Sequence, residues 1–420
     1  VQPPDGNHLE ESGGDGGMKW EKVKLGDICK YVTSGGTPKS SIKEYYEPKQ
    51  IPWLKTKEVN YCRIYETESY ISKDGLDNSS AKMIPQNSVI VAMYGQGDTA
   101  GRVAINKIPL TTNQACCNLI IDETKAYYEF VYYQLVTLYE KMVSLKNGGA
   151  QPNLNAAIIK SIEIKLPPLK TQRYIADILS SYDNLIENNQ KQIKLLEEVA
   201  QRLYKEWFVD LHFPGHENTK IVDGVPEGWN ECTVESFGTV ITGKTPPTSN
   251  KEYYTNGKVP FVTILDMHNV VYPLKTEKRL TIEGAQTQKN KYIPQNSVMI
   301  SCIGTVGLVS IATEVCQTNQ QINSIILNNE DDLYFFYESM LRMKDLLDGL
   351  GSNGATMTNV NKSKLEKLII ISPSKDIVKQ YNDICKPLFE SALNLSRKNV
   401  YLKNMREALL PKLMSGEVEV

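Results

Sequence analysis

The sequence predicts an α+β protein: two mixed α/β heads in a tandem pseudo-two-fold repeat, separated by two long helices that form an intrachain antiparallel coiled coil. Three observations carry that expectation. The hexapeptide IPQNSV stands at 84–89 and again, letter for letter, at 293–298. Short β-branched runs (VIVAM, CNLII, SVMISC, INSIIL), parted by Gly, Asn and Pro turns, occupy the same places in each half. Two apolar seams at alternating steps of four and three follow Pro-containing breaks, LPPL at 166–169 and SPS at 372–374.

The repeat runs through the chain. Trp20 in KWEKVKLGDI answers Trp229 in GWNECTVESF, and SGGTPKSSIKEYY at 34–46 answers TGKTPPTSNKEYY at 242–254. MYGQGDTAGRVAI at 93–105 answers SCIGTVGLVSI at 301–311, and TTNQAC at 111–116 answers QTNQQI at 317–322. NGGAQPNLN at 147–155 answers SNGATMTNVN at 352–361. A period of about 200 residues is too long for a solenoid, so each repeat is a whole domain with its connector.

Residues 1–17, Gly- and acid-rich and without apolar periodicity, are expected to be a flexible leader appended to a natural start at Met18. Residues 18–165 make the first head and 213–371 the second, each with an amphipathic helix, near 127–142 and 333–350. The central long helix lies in 166–212 and the C-terminal one in 372–420. In the central helix the expected seam is Ile175, Leu179, Tyr182, Ile186, Asn189, Ile193, Leu196, Ala200, Leu203 and Trp207. In the C-terminal helix it is Ile377, Tyr381, Ile384, Leu388, Ser391, Leu395, Lys398, Leu402, Met405 and Leu409. Neither stripe can stay in water. A fused two-fold repeat favours burying one against the other over dimerisation, which makes the heads two bodies on a stiff rod. Asn189 is then a polar seam residue of the kind that fixes register.

Composition narrows the class. With 41% hydrophobic and 23% charged residues the chain is globular, and no apolar run approaches the roughly 18 residues of a membrane span. Eight scattered cysteines, with neither C-x-x-C nor metal-spaced histidines, fit a reducing cytoplasm and argue against structural zinc. The net charge is −2; residues 18–165 hold 19 Lys/Arg against 15 Asp/Glu, and 218–371 hold 14 against 16. A domain that binds DNA alone and tightly carries a larger positive excess, so DNA binding here implies a partner that shares the phosphate contacts.

One stretch points elsewhere. GTVITGKT at 238–245 matches the G-x-x-x-x-G-K-[ST] phosphate loop. Its repeat partner keeps the Gly-Thr-Pro turn but has Gly36 in place of Lys244, and Pro246-Pro247 steer the chain out of the helix such a loop must enter. A tight repeated turn is the expectation. A P-loop NTPase and a coiled-coil scaffold without DNA remain the alternative readings.

LPPLKTQRYIADILSSYDNLIENN at 166–189, LLEEVAQRLYKEWF at 195–208 and MREALLPKLMSGE at 405–417, with the repeated Gly-Thr-Pro turn and NGGAQPNLN, resemble the specificity (S) subunit of type I restriction–modification systems over essentially all of 18–420. The resemblance implies two target recognition domains, each reading one half of a bipartite, asymmetric double-stranded DNA sequence, with paired helices that set the unread spacer. It implies docking of two methyltransferase (M) subunits, which carry S-adenosylmethionine and methylate adenine, and of restriction (R) subunits, which use ATP and Mg. The S subunit itself has no catalytic residue, cofactor or membrane role. The absence of an Asn/Asp-Pro-Pro-aromatic tetrapeptide agrees with that. A methylation-only complex or a two-subunit restriction enzyme fits the same residues.

Base reading needs amides, Arg/Lys and hydroxyls on loops that differ between the halves. Three pairs of places qualify: Ser34, Gly36, Thr37 and Lys39 with Thr242, Lys244 and Thr245; Gln96, Thr99 and Arg102 with Thr305; and Lys55 and Lys57 with Thr263 and Asp266. Lys244, which replaces a glycine, is the strongest candidate. The shared amides Asn113, Gln114, Asn319 and Gln320 are expected to serve backbone, and Asn153, Asn155, Asn359 and Asn361 to cap helix entries or bond head to rod.

Overall fold

The computed structural model describes residues 20–146, 153–351 and 359–418; the leader 1–17 and most of the paired stretches 147–155 and 352–361 lie outside them. The chain divides into two units, Val1–Asn184 with Lys403–Val420, and Leu185–Leu402. Each long helix, Leu169–Tyr204 and Lys375–Ser415, therefore supplies residues to both units.

In the first unit a five-stranded sheet runs in the order Cys29–Ser34, Cys116–Ile121, Val89–Ala92, Val103–Asn106, Cys62–Ile64. Its pairings are antiparallel except the last. A second sheet centres on Ile51–Leu54, parallel to Leu110–Thr112 with Trp53 opposite Thr111. Glu21–Lys24 pairs with Glu163–Leu166, joining the start of the head to the strand that feeds the long helix.

The second unit repeats these ladders. Gly238–Thr242, Ile322–Leu327, Val298–Ser301 and Val309–Ile311 form its main sheet. Val259–Val262 runs parallel to Gln317–Thr318, with Phe261 opposite Gln317. Asn230–Thr233 pairs with Ile369–Ser372. The letter-level repeat is thus a repeat of hydrogen-bond registers. The first unit's edge strand Cys62–Ile64 has only a reduced counterpart, the bond from Ile311 N to Val271 O at 2.8 Å.

The central strands are buried on both faces, which is why they read as unbroken apolar runs. Val89 and Val91 face the core beneath the helix Tyr128–Thr137, while Ile90 and Ala92 face a second core with Leu54 and Leu110. Val298 and Ile300 alternate with Met299 in the same way. Gln172 ties the first head to its long helix: its amide donates to Pro167 O at 2.8 Å and accepts from Tyr127 N at 2.8 Å.

Burial along the first long helix follows the expected seam, with Ile175, Leu179, Ile186, Asn189, Ala200 and Trp207 buried and Tyr182, Ile193, Leu196 and Leu203 half-buried. The helices are antiparallel within the second unit: Asn189 donates to Asn399 at 2.8 Å, and further along Tyr381 donates to Ala200 O at 3.1 Å.

In the second long helix the expected seam is one residue early. Ile377, Tyr381 and Leu402 are buried as expected, and Leu388, Leu395 and Leu409 are half-buried, but Ile384, Ser391, Lys398 and Met405 are exposed. The buried series is instead Val378, Asn382, Cys385, Phe389, Ala392, Asn399, Leu410 and Leu413, with Arg406 half-buried. The reason is tertiary. Phe389 stacks on Tyr334 of the head helix, with centroids 4.4 Å apart. Asn399 meets Asn189 and Arg406 pairs with Asp183, so a small, a polar and a charged residue (Ala392, Asn399, Arg406) take positions that the four-three spacing gives to Ser391, Lys398 and Met405.

All eight cysteines are free thiols, and no cluster of metal-ligating side chains occurs among the described residues. No described helix is long and apolar enough to cross a membrane.

Candidate nucleic-acid interface

Strand direction gathers the candidate loops. Cys29–Ser34 and Val89–Ala92 end where Cys116–Ile121 begins, so the turns after Ser34 and Ala92 leave the same end of the sheet. The parallel strands Ile51–Leu54 and Leu110–Thr112 also finish there. Four backbone ties hold the ends together: Gly36 N to Thr112 O (2.9 Å), Asn113 N to Leu54 O (2.9 Å), Met93 N to Ala115 O (2.8 Å) and Leu154 N to Met93 O (3.0 Å).

The second unit has the same four ties. They run from Lys244 N to Thr318 O (3.0 Å), Asn319 N to Val262 O (3.1 Å), Cys302 N to Gln321 O (2.8 Å) and Val360 N to Cys302 O (2.9 Å). The structure thus brings the three candidate loops of each head to one rim.

The Gly-Thr-Pro turns are built by close approach. A Cβ on Gly35 would lie 2.1 Å from Thr112 O, and one on Gly243 2.1 Å from Asn319 O. Gly36 is as confined, against the Ser80 backbone at 2.2 Å, whereas its counterpart Lys244 is exposed. Thr37 donates to Gln114 and Thr245 to Gln320 (2.5 Å), so the shared glutamines serve the turn. Lys39 is exposed, and Ser34 half-buried. Thr242 donates to Asn323 at 2.7 Å.

These bonds also close the phosphate-loop reading. The N–H groups of Gly243 and Lys244 are spent on Ile322 O and Thr318 O, both at 3.0 Å, and the next helical element is the three-residue turn Lys251–Tyr253. A phosphate loop needs those amides free at a helix N-terminus.

In the second loop pair, Gln96 and Thr305 are exposed. Thr99 donates to Gln96 O at 2.7 Å, and Arg102 is held by Asn60 (3.1 Å) and Asp98 (3.3 Å). A backbone hydrogen bond and Arg102 hold the Asp98 carboxyl below its ordinary range.

In the third pair, Asp266 is committed to the scaffold. Its carboxylate accepts from Thr263 N and Oγ1, both at 2.8 Å, and from Glu277 N at 2.8 Å. Glu58 does the same job in the first unit, accepting from Lys55 N (3.0 Å) and Glu68 N (2.9 Å). Lys57 is ion-paired with Glu68, and that hydrogen bond raises its pKa. Lys55 lies over the Trp53 ring at 5.0 Å. This loop therefore offers fewer free groups than the other two.

Two positioning residues went unassigned in the sequence reading. Tyr46 donates to Pro38 O and Tyr254 to Pro246 O, each at 2.7 Å, bracing the turn from behind. The signal was the repeated KEYY at 43–46 and 251–254. Asn155 and Asn361 cap short helices of the heads, Ala156–Ser161 and Lys362–Glu366, accepting from Ile158 N and Lys364 N at 2.9 Å each. Asn359 bridges Ile303 in the strand pattern beside the loop.

Comparison with known proteins bears on this geometry. The family described as type I restriction modification DNA specificity domain matches residues 18–198 and 226–401. The chain is 29% identical to the type I restriction enzyme HindI specificity subunit of Haemophilus influenzae, over 95% of this chain and 99% of that one. It is 30% identical to the MjaIX specificity subunit of Methanocaldococcus jannaschii, over 96% and 94%. In fold it resembles the crystal structure of a type I restriction–modification S subunit from M. genitalium, with TM-score 0.61 at 16% identity, covering 95% of this chain and 97% of that one.

Proposed function

The chain belongs to the type I restriction–modification DNA specificity family, and on that premise we propose that the loop rim of each unit reads one half of a bipartite, asymmetric DNA target. As a specificity subunit it recognises a DNA target sequence and is not itself the catalyst. The single observation behind the two-half reading is the doubled rim: identical backbone ties present loops of different chemistry. Lys244 stands where the first unit has Gly36, and Gln96 and Arg102 stand where the second has the shorter Ile303–Val306 loop. A conserved frame with different donors suits two half-sites of different sequence. Lys and Arg at such rims reach guanine O6/N7 or phosphate, and amides reach adenine.

The long helices are shared by both units, which supports their role in setting the unread spacer and in docking two methyltransferase subunits. Those subunits would bring S-adenosylmethionine, and restriction subunits would bring ATP and Mg. The near-neutral heads support a shared DNA surface, because the phosphate contacts missing here must come from partners.

The test is to co-express the chain with its neighbouring methyltransferase and map modified adenines genome-wide. One bipartite motif with an unread gap is the expected outcome. No modification from an assembled complex with an active methyltransferase would return the scaffold reading.

A further inference from the structure

The two units differ at one place between the head and the long helix. In the first unit it is filled by that unit's own cations. Lys107 lies over the Tyr128 ring at 4.9 Å and donates to Tyr128 OH (3.1 Å), Glu129 (3.0 Å) and Asn87 (3.4 Å). Arg63 donates to Asn184 at 2.6 Å and lies 3.6 Å from Glu129.

By the repeat register, Lys107 corresponds to Thr313, Arg63 to Tyr272, Tyr128 to Tyr334, Asn87 to Asn296 and Asn184 to Glu390. Asn87 and Asn296 even share a left-handed backbone, at φ 67° and 65°. The two filling cations have therefore been replaced by neutral side chains and their shared acceptor Glu129 by Phe335, while the ring of Tyr128 and the amide of Asn87 are kept as Tyr334 and Asn296 and a carboxylate, Glu390, stands in place of Asn184.

What remains is a cavity of about 420 Å³, within the range of small-molecule sites. Its floor includes Tyr272, Tyr334 and Asn382. Asn382 is 5% exposed, and its carbonyl oxygen has no hydrogen-bond partner. An orphaned buried acceptor costs stability unless something donates to it. At the rim stand the carboxylates of Glu330, Asp331 and Glu390. Lys386 and Arg397 share the rim, both exposed, so carboxylates outnumber cations.

We propose that this cavity binds a small organic cation, with an alkylammonium or guanidinium headgroup occupying the place that Lys107 and Arg63 fill in the first unit. The headgroup donates to the Asn382 oxygen and the Glu390 carboxylate and lies on the Tyr334 ring, as Lys107 lies on Tyr128. The inference stands apart from the DNA reading, and neither depends on the other.

The test titrates the full chain, without DNA, with spermidine and with agmatine by calorimetry at physiological salt, using 1,4-butanediol as the neutral control. One saturable site for at least one cation is expected, with none for the diol. Thr313→Lys restores the first unit's own cation and should weaken binding about tenfold or more, as should Glu390→Gln on the exposed rim. Thr313→Lys should also melt no lower than the parent. The absence of a saturable site, or binding that neither variant weakens, overturns the proposal and leaves a water-filled cavity. Should Thr313→Lys fail to fold, Glu390→Gln decides alone.

Discussion

The first unit clamps its long helices with charge, and the second clamps them with aromatic rings. Asp183 of the first long helix takes a hydrogen bond from Tyr133 at 2.5 Å and an ion pair from Arg406 of the second. The repeat positions of Asp183 and Tyr133 in the second unit are Phe389 and Ser339. There Phe389 stacks on Tyr334, and Tyr204 packs among Phe208, Phe335 and Tyr381 at centroid distances of 5.0 to 6.1 Å. Glu129, buried beside Arg63 and Lys107, corresponds to Phe335. The strand registers and the rim ties agree between the units while these contacts do not. The repeat is held to its backbone geometry, and the chemistry that fills the space behind it differs from one unit to the other.

That contrast can be broken by mutation, most severely on the aromatic side. Phe389→Ala removes the side chain of a residue only 2% exposed and should destabilise the second unit by about 3–5 kcal/mol in denaturant unfolding. Arg406→Ala strands the Asp183 carboxylate. Arg406 keeps 22% side-chain exposure, so the expected loss in the same measurement is about 2–3 kcal/mol, below that of a fully buried pair. Replacing Asp183 and Arg406 together by Leu and Met should cost less than Arg406→Ala alone, because no unpaired charge is left behind.

A pH experiment sharpens the same contrast. Glu338, at the repeat position of Tyr132, is 1% exposed among the aromatics. Burial pushes its carboxyl up to about 8, against a smaller opposing pull from Arg342. The folded state therefore keeps a proton that the unfolded chain releases near 4.5, and this contribution to stability is full below 4.5 and lost as pH rises towards 8. Glu338→Gln should flatten the unfolding free energy of the second unit over that window. A slope unchanged by the substitution would show that Glu338 finds a cationic partner.

The smallest effects should be equal in the two units. Asn155→Ala and Asn361→Ala each remove a helix cap, at about 1 kcal/mol apiece by thermal unfolding. Unequal losses would mean that one cap also carries a load from the neighbouring loop.

Much of this architecture was legible in the letters, because a fused repeat supplies its own alignment. IPQNSV, KEYY and the Gly-Thr-Pro turns mark equivalent strands and loops in the two halves. The first seam was legible because its buried positions carry Ile, Leu and Asn at regular steps. The second misled by one residue, since Ile384 and Met405 look more apolar than Asn399 or Arg406, and the phase is set by tertiary partners: Tyr334 for Phe389, Asn189 for Asn399 and Asp183 for Arg406. Among the candidates for base reading, Asp266 has its carboxylate closing the loop on Thr263 and Glu277. Spacing shows that an acid is near a turn and does not show whether the turn has already used it.

The central claim is that each rim reads its own half-site. The most direct measurement exchanges residues 18–165 for the corresponding head of the Methanocaldococcus jannaschii relative and compares the adenine methylomes of parent and exchange, each co-expressed with the same methyltransferase. The account predicts that one half of the motif changes while the other half and the length of the gap stay fixed. A change in both halves, or in neither while methylation persists, would contradict it.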